Sequence, residues 1–232
     1  MTMRINKFIS ETGVCSRREA DAWIEAGRVS INGDIATLGS KVEDGDQVQI
    51  DGRPIGMKKK HIYIALNKPV GITCTTERHI EGNIVDFVGH PERIFPIGRL
   101  DKDSEGLILL TNNGDIVNEI LRVENAHEKE YIVTVDRTVT DAFLKDMASG
   151  VRILGALTRP CVVTRINPNT FGIILTQGLN RQIRRMCAAF DYKVQRLQRV
   201  RIMHIQLGEL QRGKWRELTR IELQKLGITH AN

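Results

Sequence analysis

Apolar positions recur along the chain with two different periods, and the changes of period mark out its elements. Near the start, "MRINKFISETG" sets Ile5, Phe8 and Ile9 on one helical stripe. "SRREADAWIEAG" opens with Ser16 and carries Glu19 three residues on, the pattern of a capping box. Ala20, Trp23 and Ile24 form its inward stripe, and Gly27 is its stop. "RVSINGDIA" alternates around an Asn32-Gly33 turn, and "VEDGDQVQI" gives a second turn and strand. Residues 1–51 are therefore predicted to be two short helices feeding a small hairpin-rich sheet. Residues 52–61, "GRPIGMKKKH", have the glycine, proline and lysine content of a linker.

Residues 62–232 read as a larger, strand-rich unit. "HIYIALNKP" is a strand running into Lys68-Pro69, where proline ends regular pairing. "GLILL" is an unbroken apolar run, so it predicts a buried strand, and "GDIVNEILRV" has Ile116, Ile120 and Leu121 at helical spacing. "KEYIVTVDR" alternates, with Tyr131, Val133 and Val135 on one side and Ile132 and Thr134 on the other. A capped helix ("TDAFLKDMASG"), a strand ("TFGIILTQG"), a helix with Ile183, Cys187 and Phe190 inward ("NRQIRRMCAAF") and an alternating strand ("RVRIMHIQL") complete it. The fold class is α+β, with a mixed sheet flanked by a few helices.

Composition narrows the partners. Hydrophobic residues make up 41% of the 232, enough for a core. No stretch is long and apolar enough for a membrane span, and the N-terminus lacks a signal-peptide pattern, so a cytoplasmic, membrane-free protein is expected. Cys15, Cys74, Cys161 and Cys187 fall in no zinc-binding spacing, so no metal is expected and the cysteines read as reduced core residues. With no leucine-rich interface stripe, a monomer is the default. The net charge is +6, unevenly spread. Between Arg181 and Arg220, Lys and Arg far outnumber Asp191, Glu209 and Glu217. So lopsided a cluster points to a polyanion, with nucleic acid first. Arg4, Lys7, Arg17, Arg18 and Arg28 add to it at the N-terminus, and Arg185, Arg199 and Arg201 read as phosphate contacts near the other end.

The candidate chemistry centres on "GRLDKDSEGL", residues 98–107. Asp103 and Ser104 suit a turn-forming role, which frees Asp101 for another. Tyr131, flanked by Lys129, lies on a strand, and Arg184 lies on a basic helix. "NKPVGI" (67–72), "GRLDKDSEGLILLTNNGD" (98–115), "EKEYIVTV" (128–135) and "QGLNRQIRRM" (177–186) resemble, in order, the motifs of the RsuA-like family of bacterial ribosomal-RNA pseudouridine synthases. The wording "NAHEKEYIVTVD" and "GLNRQIRRMC" is similar to members acting on the large subunit, so 23S rRNA is the expected substrate. The first 51 residues resemble the S4-like RNA-binding module that many such enzymes carry. One departure is Gln177-Gly178-Leu179-Asn180, where relatives often have Glu-Gly-Arg-Asn. It bears on which uridine is chosen.

The resemblance implies a pseudouridine synthase domain on a mainly antiparallel sheet and a role for each matching residue. Asp101 would be the catalytic acid, Tyr131 the ring stacked on the target uracil, and Arg184 the partner of the catalytic carboxylate. Arg99 would fill the gap left by the extruded base. Leu100 and Ile183 would pack around the site, and Lys68, Lys129, Asn180 and Arg181 would line it. The reaction detaches uracil, turns it and rejoins it through carbon, with no redox change and no group lost, so no cofactor is required. A stacked base must first flip out, which costs a few kcal/mol. An aromatic platform returns about 1–3 kcal/mol, so a loosely paired uridine is the expected target. The alternatives are a synthase for 16S rRNA or tRNA, a non-catalytic rRNA-binding assembly factor, or a metal-dependent nuclease. The last would need clustered acids, and here acids and bases interleave.

Overall fold

The computed structural model describes residues 2–56, 60–121 and 126–228. Strand β1 (Met3–Arg4) leads into α1 (Ile5–Glu11) and α2 (Arg17–Glu25), followed by β2 (Val29–Ile31), β3 (Asp34–Ile35), β4 (Lys41–Val42), β5 (Val48–Ile50) and β6 (Arg53–Pro54). The capping box forms: Glu19 N–H donates to Ser16 Oγ (3.2 Å) and Ser16 N–H to Glu19 Oε2 (2.7 Å). Asn32 and Gly33 both have positive φ, 53° and 96°, as a two-residue hairpin turn requires. Ile5, Ile9, Ala20, Ile24, Val29 and Val48 close one small core. The segment read as a linker starts later than its composition suggests. Arg53–Pro54 pairs with β5, and Ile55 packs on the same core. Lys58 and Lys59 of that segment lie outside the described residues.

The second unit contains β7 (Tyr63–Lys68), α3 (Ile84–Val88), β8 (Phe95–Ile97), β9 (Glu105–Thr111), α4 (Gly114–Leu121), β10 (Lys129–Val135) and α5 (Asp141–Ser149). A hairpin, β11 (Arg152–Ile153) and β12 (Ala156–Leu157), precedes β13 (Val162–Asn167), β14 (Thr170–Leu175) and α6 (Gln182–Ala188). The chain ends with β15 (Val194–Ile202), β16 (Ile205–Gln206), β17 (Trp215–Glu217) and α7 (Arg220–Lys225). Among the described residues the main sheet has nine strands. Seven run in the order β13-β14-β10-β15-β9-β7-β17; β16 pairs with β15, and β8 with β9. All its pairings are antiparallel except β15 with β9.

Helices cover both faces, which explains the unbroken apolar run. On one face Ile64, Leu66, Ile108 and Leu110 pack against α3, α5 and α6. On the other, Tyr63, Ala65, Leu107 and Leu109 pack against α4 and α7. β7 and β9 are thus buried on both sides. β10 alternates as its sequence predicts, with Tyr131, Val133 and Val135 in the first core. Two details depart from the pattern. Leu121 is exposed at the end of α4. "RVRIMHIQL" is not one strand, because Met203 takes φ 53° and turns the chain back into β16.

Candidate active site

Sheet register brings four residues into one row. Lys68 pairs with Gly106, Gly106 with Arg199, and Arg199 with Tyr131, across β7, β9, β15 and β10. Each lies an even number of residues from a side chain of the first core on its own strand: Leu66, Ile108, Leu197 and Val133. The row therefore faces the α3/α5/α6 side. Gly106 is obligatory there. Its φ is 105°, and a Cβ would stand 2.2 Å from the Arg199 carbonyl oxygen.

The 98–104 loop enters β9 at this row. Its backbone is held by Gly71 N–H donating to Lys102 O (2.7 Å), Leu100 N–H to Cys74 Sγ (3.4 Å) and Ser104 N–H to Asp101 O (3.0 Å). Leu100 and Ile183 are buried beneath it, and Arg99 is exposed. The Asp101 side chain is 34% exposed, and its ion-pair partner is Arg181 Nη1 at 3.8 Å. Asp103 does the structural work. It accepts from Arg181 at 2.9 and 2.8 Å and stands 3.4 Å from Arg184 Nε. The Arg181 hydrogen bonds hold the Asp103 carboxyl below the usual carboxylate range.

Several expectations need correction. Arg184 pairs with Asp103, not Asp101. Its other guanidinium bonds go to Asp103 O (2.8 Å), Ser104 Oγ (3.3 Å) and Val194 O (3.3 Å), so it clamps the loop behind Asp101. Lys68 does not line an open site. It is fully buried, and its Nζ donates to Pro69 O (2.9 Å) and Ile72 O (3.0 Å), fixing the turn that holds Leu100 and Lys102. Burial lowers the pKa of Lys68, while the nearby charges of Asp101 and Asp103 act the other way.

Arg199 is no surface phosphate contact. It is 4% exposed, with its guanidinium 6.0 Å from the Tyr131 ring centroid. Its parity with Leu197 in an alternating strand is the sequence signal that it faces inward. Arg201 is drawn in by Glu130 (2.7 Å) and Glu128 (3.0 Å).

Tyr131 is 9% exposed, so a base can meet only part of its ring. Lys129 is half-buried, its pKa lowered by desolvation and then by Arg199. Asn180, Arg181 and Arg185 form an exposed rim, where Arg185 is held by Asn180. In the N-terminal unit Arg4 and Arg18 are exposed, and Arg28 is paired with Asp51. Lys7 and Arg17 face Asp115 of the larger unit, at 2.7 and 4.0 Å. Among the described residues no group of three or more His, Cys, Asp or Glu is placed to hold a metal ion.

On the sheet's opposite face, a cavity of about 220 Å³ is lined by Asn67, Glu105, Arg196, Gln198 and Arg212. Glu105 is buried there and bonded to Arg196 (2.5 Å), which ties the start of β9 to β15. Neither this tie nor Cys74 as the acceptor for Leu100 is signalled by the pattern of residues.

Comparison with known proteins bears on the family and the fold. Residues 62–189 match the family described as RNA pseudouridylate synthase, and residues 3–48 match the S4 domain. The chain is 56% identical over 224 residues to a dual-specificity RNA pseudouridine synthase RluF of Escherichia coli O6:H1, covering 96% of this chain and 77% of that protein. It is 32% identical over 232 residues to the ribosomal large subunit pseudouridine synthase B of Bacillus subtilis, covering 96% and 95%. A solved pseudouridylate synthase superposes with a TM-score of 0.71 at 30% identity, covering 97% of this chain and 99% of that one.

Proposed function

The chain belongs to the RNA pseudouridylate synthase family, and we propose that the loop at Asp101, with Tyr131, is where it does its chemistry on large-subunit ribosomal RNA. The reaction is the isomerisation of uridine to pseudouridine. The carrying observation is the division of labour between two acids. Asp103 is consumed by arginines, while Asp101, two residues away, keeps a partly exposed carboxylate whose ion-pair partner, Arg181, stands 3.8 Å away.

A carboxylate so presented can meet the ribose, either adding to the sugar or removing one of its protons. Arg181 supplies counter-charge. Arg184 acts through Asp103, Ser104 and the loop backbone. The Tyr131 hydroxyl has no partner among the described residues, which suits a group that meets the base. Arg99, exposed beside Asp101, is positioned to occupy the space a flipped uridine leaves. The choice of 23S rRNA is supported by the similarity of "NAHEKEYIVTVD" and "GLNRQIRRMC" to large-subunit members and by the name of the Bacillus relative.

Asp101→Asn should abolish tritium release from RNA labelled at uracil C5, by about 10³-fold or more, without changing RNA affinity. Wild-type turnover by the variant would overturn the site assignment. Pseudouridine mapping in cells with and without the protein tests the substrate. A change confined to large-subunit rRNA is expected, and one confined to small-subunit rRNA or tRNA would overturn that choice.

A further inference from the structure

Arg199 is a costly residue to keep where it stands. An arginine only 4% exposed should have its guanidinium fully paired. Yet among the described residues no carboxylate lies within 4.0 Å of it, and Nη2 has no hydrogen-bond partner. Nε is spent on Leu107 O at 2.7 Å. Its neighbours along the row do not compensate. Lys68 is another buried cation, Gly106 has no side chain, and Tyr131 offers a ring. The row thus holds two buried positive charges and an unfilled donor, facing the side of the sheet where the Asp101 loop lies.

The reaction itself generates a matching group. When the N1–C1′ bond breaks, its electron pair leaves with the base, and the negative charge spreads over N1, O2 and O4 of the detached uracil. When C5 bonds to C1′ the charge on the ring is discharged; the C5 proton then passes to a base and N1 takes up a proton, so the product ring is neutral. Resting on the assignment of the chemistry to Asp101 and Tyr131, we propose that Arg199 is a further catalytic residue, whose Nη2 donates to a uracil carbonyl oxygen and whose charge stabilises the base while it is free. No proton leaves Arg199. Its service is a preorganised charge where the anion forms.

A purely structural arginine would also lower activity when replaced, so the test varies the base. Single-turnover cleavage of the N1 link is measured on RNA carrying uridine or 5-fluorouridine at the target. The fluorinated base is the more acidic and leaves as the more stable anion. Arg199→Gln should slow the uridine reaction about 10²–10³-fold with RNA affinity unchanged, and should slow the fluorouridine reaction distinctly less. Arg199→Lys, which keeps the charge, should fall between. Comparing two bases within one preparation cancels any loss of folded protein. Equal deficits for both bases, or no deficit, would overturn the inference. Asp101→Asn in the same assay separates the two claims: if it is inactive and Arg199→Gln is not, only the role of Arg199 falls, and if it is active, the site itself is misassigned.

Discussion

Neighbouring residues of one kind do different work here, and the structure separates them by what they touch. That Asp103 has a structural role was legible, because a turn needs only one of the two acids, and this left Asp101 as the candidate for the chemistry. Which arginine serves which acid was not legible, since that depends on α6 folding back over a loop some eighty residues earlier. Arg199 was misread because a count of basic residues cannot see strand parity. Gly106 gives a direct test. Alanine there would put a methyl 2.2 Å from the Arg199 carbonyl, at φ 105°. Gly106→Ala should cost about 3 kcal/mol or more, read by urea denaturation, and should remove activity with it. Near-native stability would mean that β9 and β15 can part at this point without loss.

Among elements, the strands with the strongest patterns were the readable ones. β7, β9 and β10 are defined by burial on two faces or on one. β13, almost wholly exposed, and the three-residue β17 carry little periodicity and became visible only through their partners. α7 is held to β17 by Glu222, which accepts from Arg216 at 2.8 and 2.7 Å and closes a capping box with Thr219. The Arg216 bonds take its pKa down to about 2. An unfolded glutamate titrates near 4.3, so the folded state binds this proton less readily. The stabilisation is complete above that value and disappears as pH falls from about 5 towards 2. Glu222→Gln should therefore cost about 1–2 kcal/mol at pH 7, with the gap to wild type narrowing in acid-range urea melts. A gap independent of pH would show that the charge is not what holds the helix.

At the scale of the whole molecule, the sequence showed two units and an excess of positive charge, but not how much of that charge is already spent. Arg28, Arg201 and Arg216 are engaged by carboxylates, and Lys7 spans the two units to Asp115. Arg4, Arg18 and Arg185 remain outward, where the proposed function would have them meet phosphates. If about six phosphates are neutralised, log affinity for RNA should fall with log salt at a slope of about −4 to −5; a slope near zero would put recognition elsewhere.

The sheet's only parallel pairing among the described residues, Gln198 with Glu105 and Arg199 with Gly106, carries a last consequence. Tyr131 belongs to the strands on one side of it, and Asp101 leads into those on the other. The two residues proposed to do the chemistry are thus parted by a pairing only two residues long, stapled by guanidinium groups on both faces. Mild denaturant should silence turnover before spectroscopy registers any melting, with the amides of Glu105, Gly106, Gln198 and Arg199 the first of the central sheet to exchange.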